Sequence, residues 1–432
     1  MSASRALVVS AALALSSLLA ACTRRGPPAP EAREEDPLIA LAAPIRSSDP
    51  ADVDYEDLAP LARSIGESRI VFLGETVHGK HEITRAKTRL VRFLHEKMGF
   101  DVLVWESNLW DCEQMERALH TEVPLDDAIA TGLFPVLSEG GQLRALMSYA
   151  RETHQTSRPL EMAGFDPQFS GRGRDGYPNW LLDLVDGEGL ATTTPELRRG
   201  LREAFQRFPK KGRFLPLGAE VRAKDRAAIA AVLAALKANA GKVARVRGDR
   251  EEALAERTLS NVLSIYDWHA AVGASDVKTE VDWRLVKNNQ VRDTEAAVNV
   301  TWIARVWEPG KKLLVWAHNG HIARDLSAVE IPGGEYSYED YLPMGAGVAA
   351  VWGREAYSLG FSARDEDAAP RSLEGRLGAI DKPFLFVDLR GPAGEPGHWL
   401  HGALTARPTG HVNASADWTR VFDGVFFVRD GG

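Results

Sequence analysis

The sequence predicts an α/β fold: a mostly parallel central sheet flanked by helices, with an inserted helical subdomain over about residues 170–290. Three observations predict it. Short continuous apolar runs recur along the chain, each followed by a stretch with helical spacing. Titratable residues stand directly after several of these runs. A long middle stretch has helical period and no apolar run of this kind. Continuous apolar runs suit strands buried on both faces, as in a parallel sheet, and helices between them imply a layered core.

The runs are Arg69–Leu73, Asp101–Trp105, Leu160–Gly164, Lys312–Ala317, Ala356–Phe361, Pro383–Leu389 and Gly424–Val428. Between the third and fourth, Thr194–Gln206, Ala223–Ala240 and Glu251–Ala271 carry helical spacing and are rich in Ala, Leu and Arg. This is the inserted subdomain, placed to cap a site. Gly171 to Gly176 matches the spacing G-x-G-x-x-G, but Tyr177-Pro178 follows where a helix junction is needed, so it reads as a loop.

The 432 residues suffice for one large domain or two ordinary ones. Residues 51–432 form the α/β domain, and residues 22–50, rich in Pro, Ala, Arg and Glu, read as a flexible tether. Residues 1–21 read as a signal peptide: Arg5 supplies a positive start, and the run Ala6 to Ala21 is too short and Ala/Ser-rich to span a bilayer. The run ends in Leu19-Ala20-Ala21-Cys22, which resembles a lipobox with Cys22 as the lipidated residue. The expected location is the cell envelope, lipid-anchored, on the periplasmic side or the cell surface. The only other cysteine, Cys112, is then a small packed residue. A net charge of −8 argues against a nucleic-acid partner and against electrostatic binding to anionic lipid.

In open α/β sheets ligands bind beyond the carboxyl ends of the strands. There the sequence places Gly74-Glu75-Thr76-Val77-His78-Gly79 after the first run, Glu106 after the second, Phe165-Asp166 after the third and His318-Asn319-Gly320-His321 after the fourth. Glu75, His78, Glu106, His318 and His321 are therefore the candidate catalytic set, and Asp166 a candidate substrate-binding residue. The glycines around Glu75 and His78 permit close approach of backbone to ligand. A strand-end carboxylate such as Glu106 also commonly caps the following helix. In the helix after His78, Lys87 interrupts the apolar stripe of Ile83, Leu90 and Leu94. It reads either as a snorkelling edge residue or as a cation aimed at the site beside Glu75 or Glu106, able to stabilise an oxyanion. Arg85 is nearby but off the stripe, a second candidate for substrate binding.

Several chemistries are disfavoured. G-x-S-x-G, H-E-x-x-H and Walker A motifs are all missing from the sequence. Histidines and carboxylates remain, which suit direct attack by water: a His as general base, a carboxylate holding its tautomer, and cations or a protonated His stabilising the oxyanion.

The same residues carry a family resemblance. Gly74-Glu75-Thr76-Val77-His78-Gly79 resembles the motif G-E-x-x-H-G of erythromycin esterase-like proteins. Trp105-Glu106 is similar to that family's second motif, and Arg292-Asp293 with Ala297 and Asn299 to its R-D-x-x-M-A-x-N helix, with Ala296 in place of Met. Ala317-His318-Asn319-Gly320-His321 matches its A-H-N-x-H motif, and Tyr357 to Phe361 its next aromatic strand. The resemblance runs from about residue 55 to the C-terminus. It implies hydrolysis of a small-molecule ester or lactone, macrolide lactones among them, without a metal or other cofactor, with His78 as base and Glu75, Glu106, His318 and His321 completing the site. Lys87 stands where the family usually has Arg, which keeps the charge and loses the planar fork.

Two other readings start from the same residues. His78, His318 and His321 with Glu75 or Glu106 could hold a divalent metal in a metal-dependent hydrolase. A lipoprotein of this design could instead capture a metal complex or haem through its histidines without catalysis.

Overall fold

All seven apolar runs are strands in the computed structural model, which describes residues 37–187, 194–207, 217–272, 284–332, 338–364, 368–390, 401–408 and 413–429. The signal peptide, Cys22 and the first part of the tether lie outside the described residues. The strands are β1 (Ala42–Ile45), β2 (Ile70–Leu73), β3 (Phe100–Asn108), β4 (Glu161–Asp166), β5 (Lys312–Trp316), β6 (Val329–Glu330), β7 (Ala356–Ala363), β8 (Phe384–Asp388), β9 (Leu404–Ala406), β10 (Ala414–Ala416) and β11 (Gly424–Val428). Eight form the main sheet in the order β1-β8-β11-β7-β2-β5-β3-β4, and β6, β10 and β9 form a small antiparallel sheet.

From β11 to β4 every neighbouring pair in the main sheet is parallel, while β8 runs against both β11 and β1. The two-sided burial expected of parallel strands is present residue by residue. Ile70, Phe72, Val102, Val104, Leu313 and Val315 enter one apolar layer. Their neighbours Val71, Leu73, Leu103, Trp105, Leu314 and Trp316 enter the other. That alternation explains why these strands read as continuous apolar runs.

β1 corrects the tether boundary. Residues 37–50 are part of the fold: Leu38 and Ile45 are buried, and β1 pairs antiparallel with β8 at the sheet edge. Its sequence, Ala-Ala-Pro-Ile, hides it. Pro44 has no N–H to give a second neighbour, which an edge strand does not need.

The helices that matter for the site are α1 (His81–Met98), α2 (Leu109–Leu119), α3 (Arg144–Thr153), α4 (Tyr177–Gly187), α5 (Pro195–Arg207), α6 (Ala219–Ala238), α7 (Asp249–Val272), α8 (Arg284–Trp302) and α9 (Asn319–Ile322). α1 lays Ile83, Ala86, Leu90 and Leu94 on the sheet and ends at Gly99 in the left-handed conformation. Between β4 and β5 the described elements are all helical, beginning with a 3-10 turn, Arg172–Gly176, where a loop is expected from sequence. These helices pack in the apolar layer on the face of the sheet opposite α1. α8 crosses the expected end of the insertion at about residue 290 and returns the chain to the sheet. Cys112 is buried and unpaired. Among the described residues, no helix is long and apolar enough to cross a membrane.

Candidate active site

Sheet order explains how chain-distant residues meet. β2, β5, β3 and β4 are contiguous and parallel, so their carboxyl ends share one edge. Leu73, Trp105 and Gly164 lie in register around Trp316. Beyond that row come Glu75 with His78, Glu106, Asp166, and His318 with His321. The turn after β2 needs its glycines. A Cβ on Gly74 would lie 1.9 Å from Asn319 Oδ1, and Gly79 has φ +75°.

Glu75 is the fixed point of the first half of the site. It is buried, and its Oε1 is 2.5 Å from His78 Nδ1. Its Oε2 accepts from Lys87 Nζ at 2.9 Å and from Trp316 Nε1 at 3.0 Å. Burial opposes the carboxylate, but Lys87 and His78 outweigh it and hold the Glu75 pKa below its ordinary value. Glu75 thus fixes the His78 tautomer with the proton on Nδ1 and turns Nε2 toward the cleft. His78 Nε2 lies 3.9 Å from Glu106 Oε1, and the edge of Phe134 packs against the ring at 5.8 Å between centroids. Burial lowers the His78 pKa, but Glu75 and Glu106 more than reverse this and leave it raised.

Lys87 is a buried partner rather than a substrate-facing cation. Its side chain is 0% exposed, and Nζ sits 3.8 Å from the centre of the Trp316 ring. Desolvation drives its pKa down to about 8 against the pull of Glu75. Arg85 corrects a second expectation. It turns away from Glu75 and Glu106, and its guanidinium lies 3.8 Å from Asp49 at a half-exposed position.

Glu106 anchors the other half. Asn108, and not Glu106, caps the next helix, accepting from Trp110 N–H at 2.9 Å. Glu106 Oε2 instead accepts from His318 N–H at 2.9 Å, and Oε1 from Arg292 Nη2 at 3.1 Å. His321 Nε2 is 3.3 Å from the same Oε1. Burial opposes its charge, but His321, His78 and Arg292 hold Glu106 well below the usual carboxylate range. Asp166 forms a two-point pair with Arg292, whose Nη2 donates to Oδ2 at 2.5 Å and Nε to Oδ1 at 3.2 Å.

The two histidines of the β5 motif part company. His318 gives both ring nitrogens to backbone. Nδ1 accepts from Gly320 N–H at 3.1 Å, and Nε2–H donates to Thr76 O at 2.9 Å. It caps α9, and burial pushes its pKa down to about 4 despite Glu106. It therefore holds the β2 turn against the end of β5 as a neutral ring, which corrects its place in the catalytic set. His321 Nδ1 lies 2.6 Å from Asp293 Oδ1, and Tyr341 Oη donates to Asp293 Oδ2 at 2.7 Å. Burial disfavours the imidazolium, yet Asp293 and Glu106 outweigh burial and Arg292 and push the His321 pKa up to about 10.

Arg292 and Asp293 are the residues the reading from individual strands misses. They sit in α8, far along the chain from any strand end, and their only local signal is the Arg-Asp pair within the family-like helix. Asn319, between the histidines, is structural: it donates to Phe361 O and Pro408 O, both at 2.6 Å.

His78, Glu106, Asp166 and Arg292 line a cleft of about 990 Å³. Its walls come from residues 126–144 and 166–174. Among the described residues, the helices between 177 and 272 contribute none of its lining; the walls come from the segment between β3 and β4 and from the first residues of the expected insertion, 170–174. The three histidines do not converge as ligands on one metal. His318 has no free nitrogen, and the space between Glu106 and Asp166 holds the Arg292 guanidinium. His78 Nε2 is the one nitrogen of the three rings turned to the cleft without a partner at hydrogen-bonding distance.

With this geometry established, comparison with known proteins gives consistent results. Residues 95–431 match the family model described as erythromycin esterase. The chain is 24% identical over 413 residues to a Bacillus subtilis (strain 168) protein named "Putative hydrolase YbfO", covering 88% of each. A crystal structure of a Bacillus cereus protein is similar with TM-score 0.74 at 20% identity, over 91% of this chain and 95% of that one. The structure of an erythromycin esterase mutant, EreC, in its open conformation is similar with TM-score 0.67 at 16% identity, over 90% and 97%. At these identities the structural likeness is one of fold.

Proposed function

The chain belongs to the erythromycin esterase family, and on that premise we propose that it hydrolyses an ester or lactone by water attack, with His78 as general base. The observation that carries this reading is the His78–Glu75 pair: a 2.5 Å contact at Nδ1, with Nε2 left facing the cleft. A water beside Nε2 loses its proton to the ring as its oxygen bonds to the acyl carbon. Glu75, itself held by Lys87 and Trp316, stabilises the imidazolium that forms. Arg292, at the cleft wall, supplies positive charge to the developing oxyanion. Collapse of the tetrahedral intermediate breaks the bond to the leaving oxygen, which takes the proton back from His78.

The cleft selects for size and polarity. At about 990 Å³ it is at the upper end for small-molecule sites, and Arg144, Arg172, Arg174, Asp126 and Glu139 line its walls. A bulky, oxygen-rich ester or a macrocyclic lactone matches it better than a short acyl ester. No step in this scheme calls for a metal or other cofactor.

The test is hydrolysis of a panel of macrolide lactones and simple esters by the wild type and His78→Ala, followed by product mass. Replacing the base lowers kcat by about 10²–10⁴-fold, with the fold unchanged by circular dichroism. Equal rates for the two proteins remove His78 from the reaction.

A further inference from the structure

The segment Gly171-Arg172-Gly173-Arg174-Asp175-Gly176 stands out in the sequence and takes no part in the chemistry at His78. It nevertheless forms a wall of the same cleft, where Arg172 and Arg174 join His78 and Arg292 in the lining. The turn is held firmly from behind. Asp111 Oδ2, on α2, accepts from Ser170 N–H at 2.7 Å and from Gly171 N–H at 2.9 Å. Trp110 Nε1 donates to Gly173 O at 2.8 Å. A Cβ on Gly171 would lie 2.0 Å from Thr131 O, so the backbone packs against its support as only glycine allows. Such anchoring fixes where the two arginine side chains start, as a recognition site requires.

The four arginines of the cleft are not equivalent. Arg292 is engaged by Asp166 and Glu106, and Arg144 donates to Asp126. Arg172 and Arg174 meet carboxylates only loosely among the described residues, Asp127 at 3.7 Å and Asp175 at 3.8 Å. Both carboxylates are well exposed, and water screens such contacts. Arg174 is the more enclosed of the two, at 21% exposed against 74%, and its Nε is buried without a hydrogen-bond partner. Asp111 does not cancel it. Burial pushes the Asp111 pKa up to about 8, against the backbone N–H groups of Ser170, Gly171 and Arg174, so near neutral pH it is mostly an uncharged acid. A half-enclosed guanidinium on a fixed turn, with no anion close to it, suits two-pronged binding of an oxyanionic group.

We propose that Arg174, assisted by Arg172, binds a carboxylate of the substrate remote from the bond that breaks, so that the substrate is an ester or lactone that also carries a free carboxylate. The acidic neighbours Asp127 and Asp175 favour this monoanion over a phosphate dianion. This specificity rests on the reading of the cleft as the substrate site of a hydrolase.

Isothermal titration calorimetry with two amides that the scheme leaves uncleaved tests the subsite apart from the chemistry. One is N-naphthyl adipamic acid, which carries a free carboxylate, and the other is its terminal carboxamide. The wild type and His78→Ala each bind the acid at least about tenfold more tightly, the lower end for a hydrogen bond to a charged group. Arg174→Gln loses that preference and Arg174→Glu reverses it. Arg85→Gln, which removes a guanidinium turned away from the cleft, keeps it. Equal affinity of the wild type for the two amides, or binding of neither, overturns the proposal. So does a preference that survives Arg174→Gln. Because no bond is broken, a failed hydrolysis assay leaves this readout intact, and a failed subsite leaves the assay at His78 standing.

Discussion

Replacing Lys87 with Met separates two roles a lysine on an apolar stripe can have. The Lys87 side chain is 0% exposed, and its partner Glu75 is 2% exposed. Breaking such a buried pair leaves a carboxylate partly uncompensated, at a cost of about 3–5 kcal/mol. His78 Nδ1 and Trp316 Nε1 still face Glu75, at 2.5 and 3.0 Å, so the lower figure, about 3 kcal/mol, is expected. That is a large share of the roughly 5–15 kcal/mol that holds a typical domain together. Glu75→Gln in the same background removes the stranded charge and restores most of the loss, because a fully neutral site carries no desolvation debt. Urea unfolding of the wild type, both single variants and the double variant measures this as a cycle, provided the slope with denaturant is constant. Kinetics give a second reading. Lys87 opposes the charge on His78 through Glu75, so its removal raises the His78 pKa further and moves the acid limb of kcat/KM to higher pH. A loss below about 1 kcal/mol, or single-variant losses that simply add, refutes the buried-pair account. A raised KM with unchanged stability would return Lys87 to substrate binding.

Three other outcomes follow from the same geometry. His321 has its pKa raised from 6.5 to about 10, so the folded chain holds a proton there that the unfolded chain releases. Its contribution to stability is complete below 6.5 and fades as pH rises toward 10; His321→Gln flattens that slope in urea midpoints measured across the interval, and an unchanged slope rejects the assignment. Arg292→Lys keeps the charge but loses the fork that spans Asp166 and Glu106; kcat/KM falls by about 10²-fold, mostly in kcat, as for loss of one oxyanion donor, and steady-state kinetics that match the wild type remove Arg292 from the reaction. Cys22→Ser moves the protein from the membrane to the soluble fraction on cell fractionation if Cys22 is lipidated, and an unchanged distribution removes the anchor.

What the sequence revealed was local, and what it concealed was long-range. All seven runs were legible because strands covered on both faces are apolar at most positions, and this holds for the six parallel strands and for antiparallel β8 alike. β1 was not, because an edge strand of Ala, Ala, Pro and Ile has neither the length nor the alternation of a strand. Glu75, His78, Glu106, Asp166 and His321 were legible as strand-end residues, but their meeting depends on the adjacency of β2, β5, β3 and β4, which no local pattern encodes. Lys87 announced its burial by sitting among Ile83, Leu90 and Leu94, yet only the fold supplies its partner. Arg85, off that stripe, faces Asp49 instead. Arg292 and Asp293 belong to a helix whose pattern is one of helix packing, so only the family-like Arg-Asp pair pointed to them and their partners came from the fold.

The three site imidazoles show how environment assigns roles to identical side chains. His318 meets backbone on both nitrogens and is buried, which drives its pKa down to about 4. His321, three residues on, meets Asp293 and Glu106 and is driven up to about 10. Near neutral pH one ring is fixed as neutral and the other as a cation, so neither can cycle a proton cheaply. His78 differs from both: one carboxylate holds Nδ1, the second stands 3.9 Å from Nε2, and together they raise its pKa against burial. Pairs of titratable groups pushed apart by their surroundings mark the division of labour in an active site. In the proposed mechanism His318 positions, His321 carries charge between Asp293 and Glu106, and His78 moves the proton.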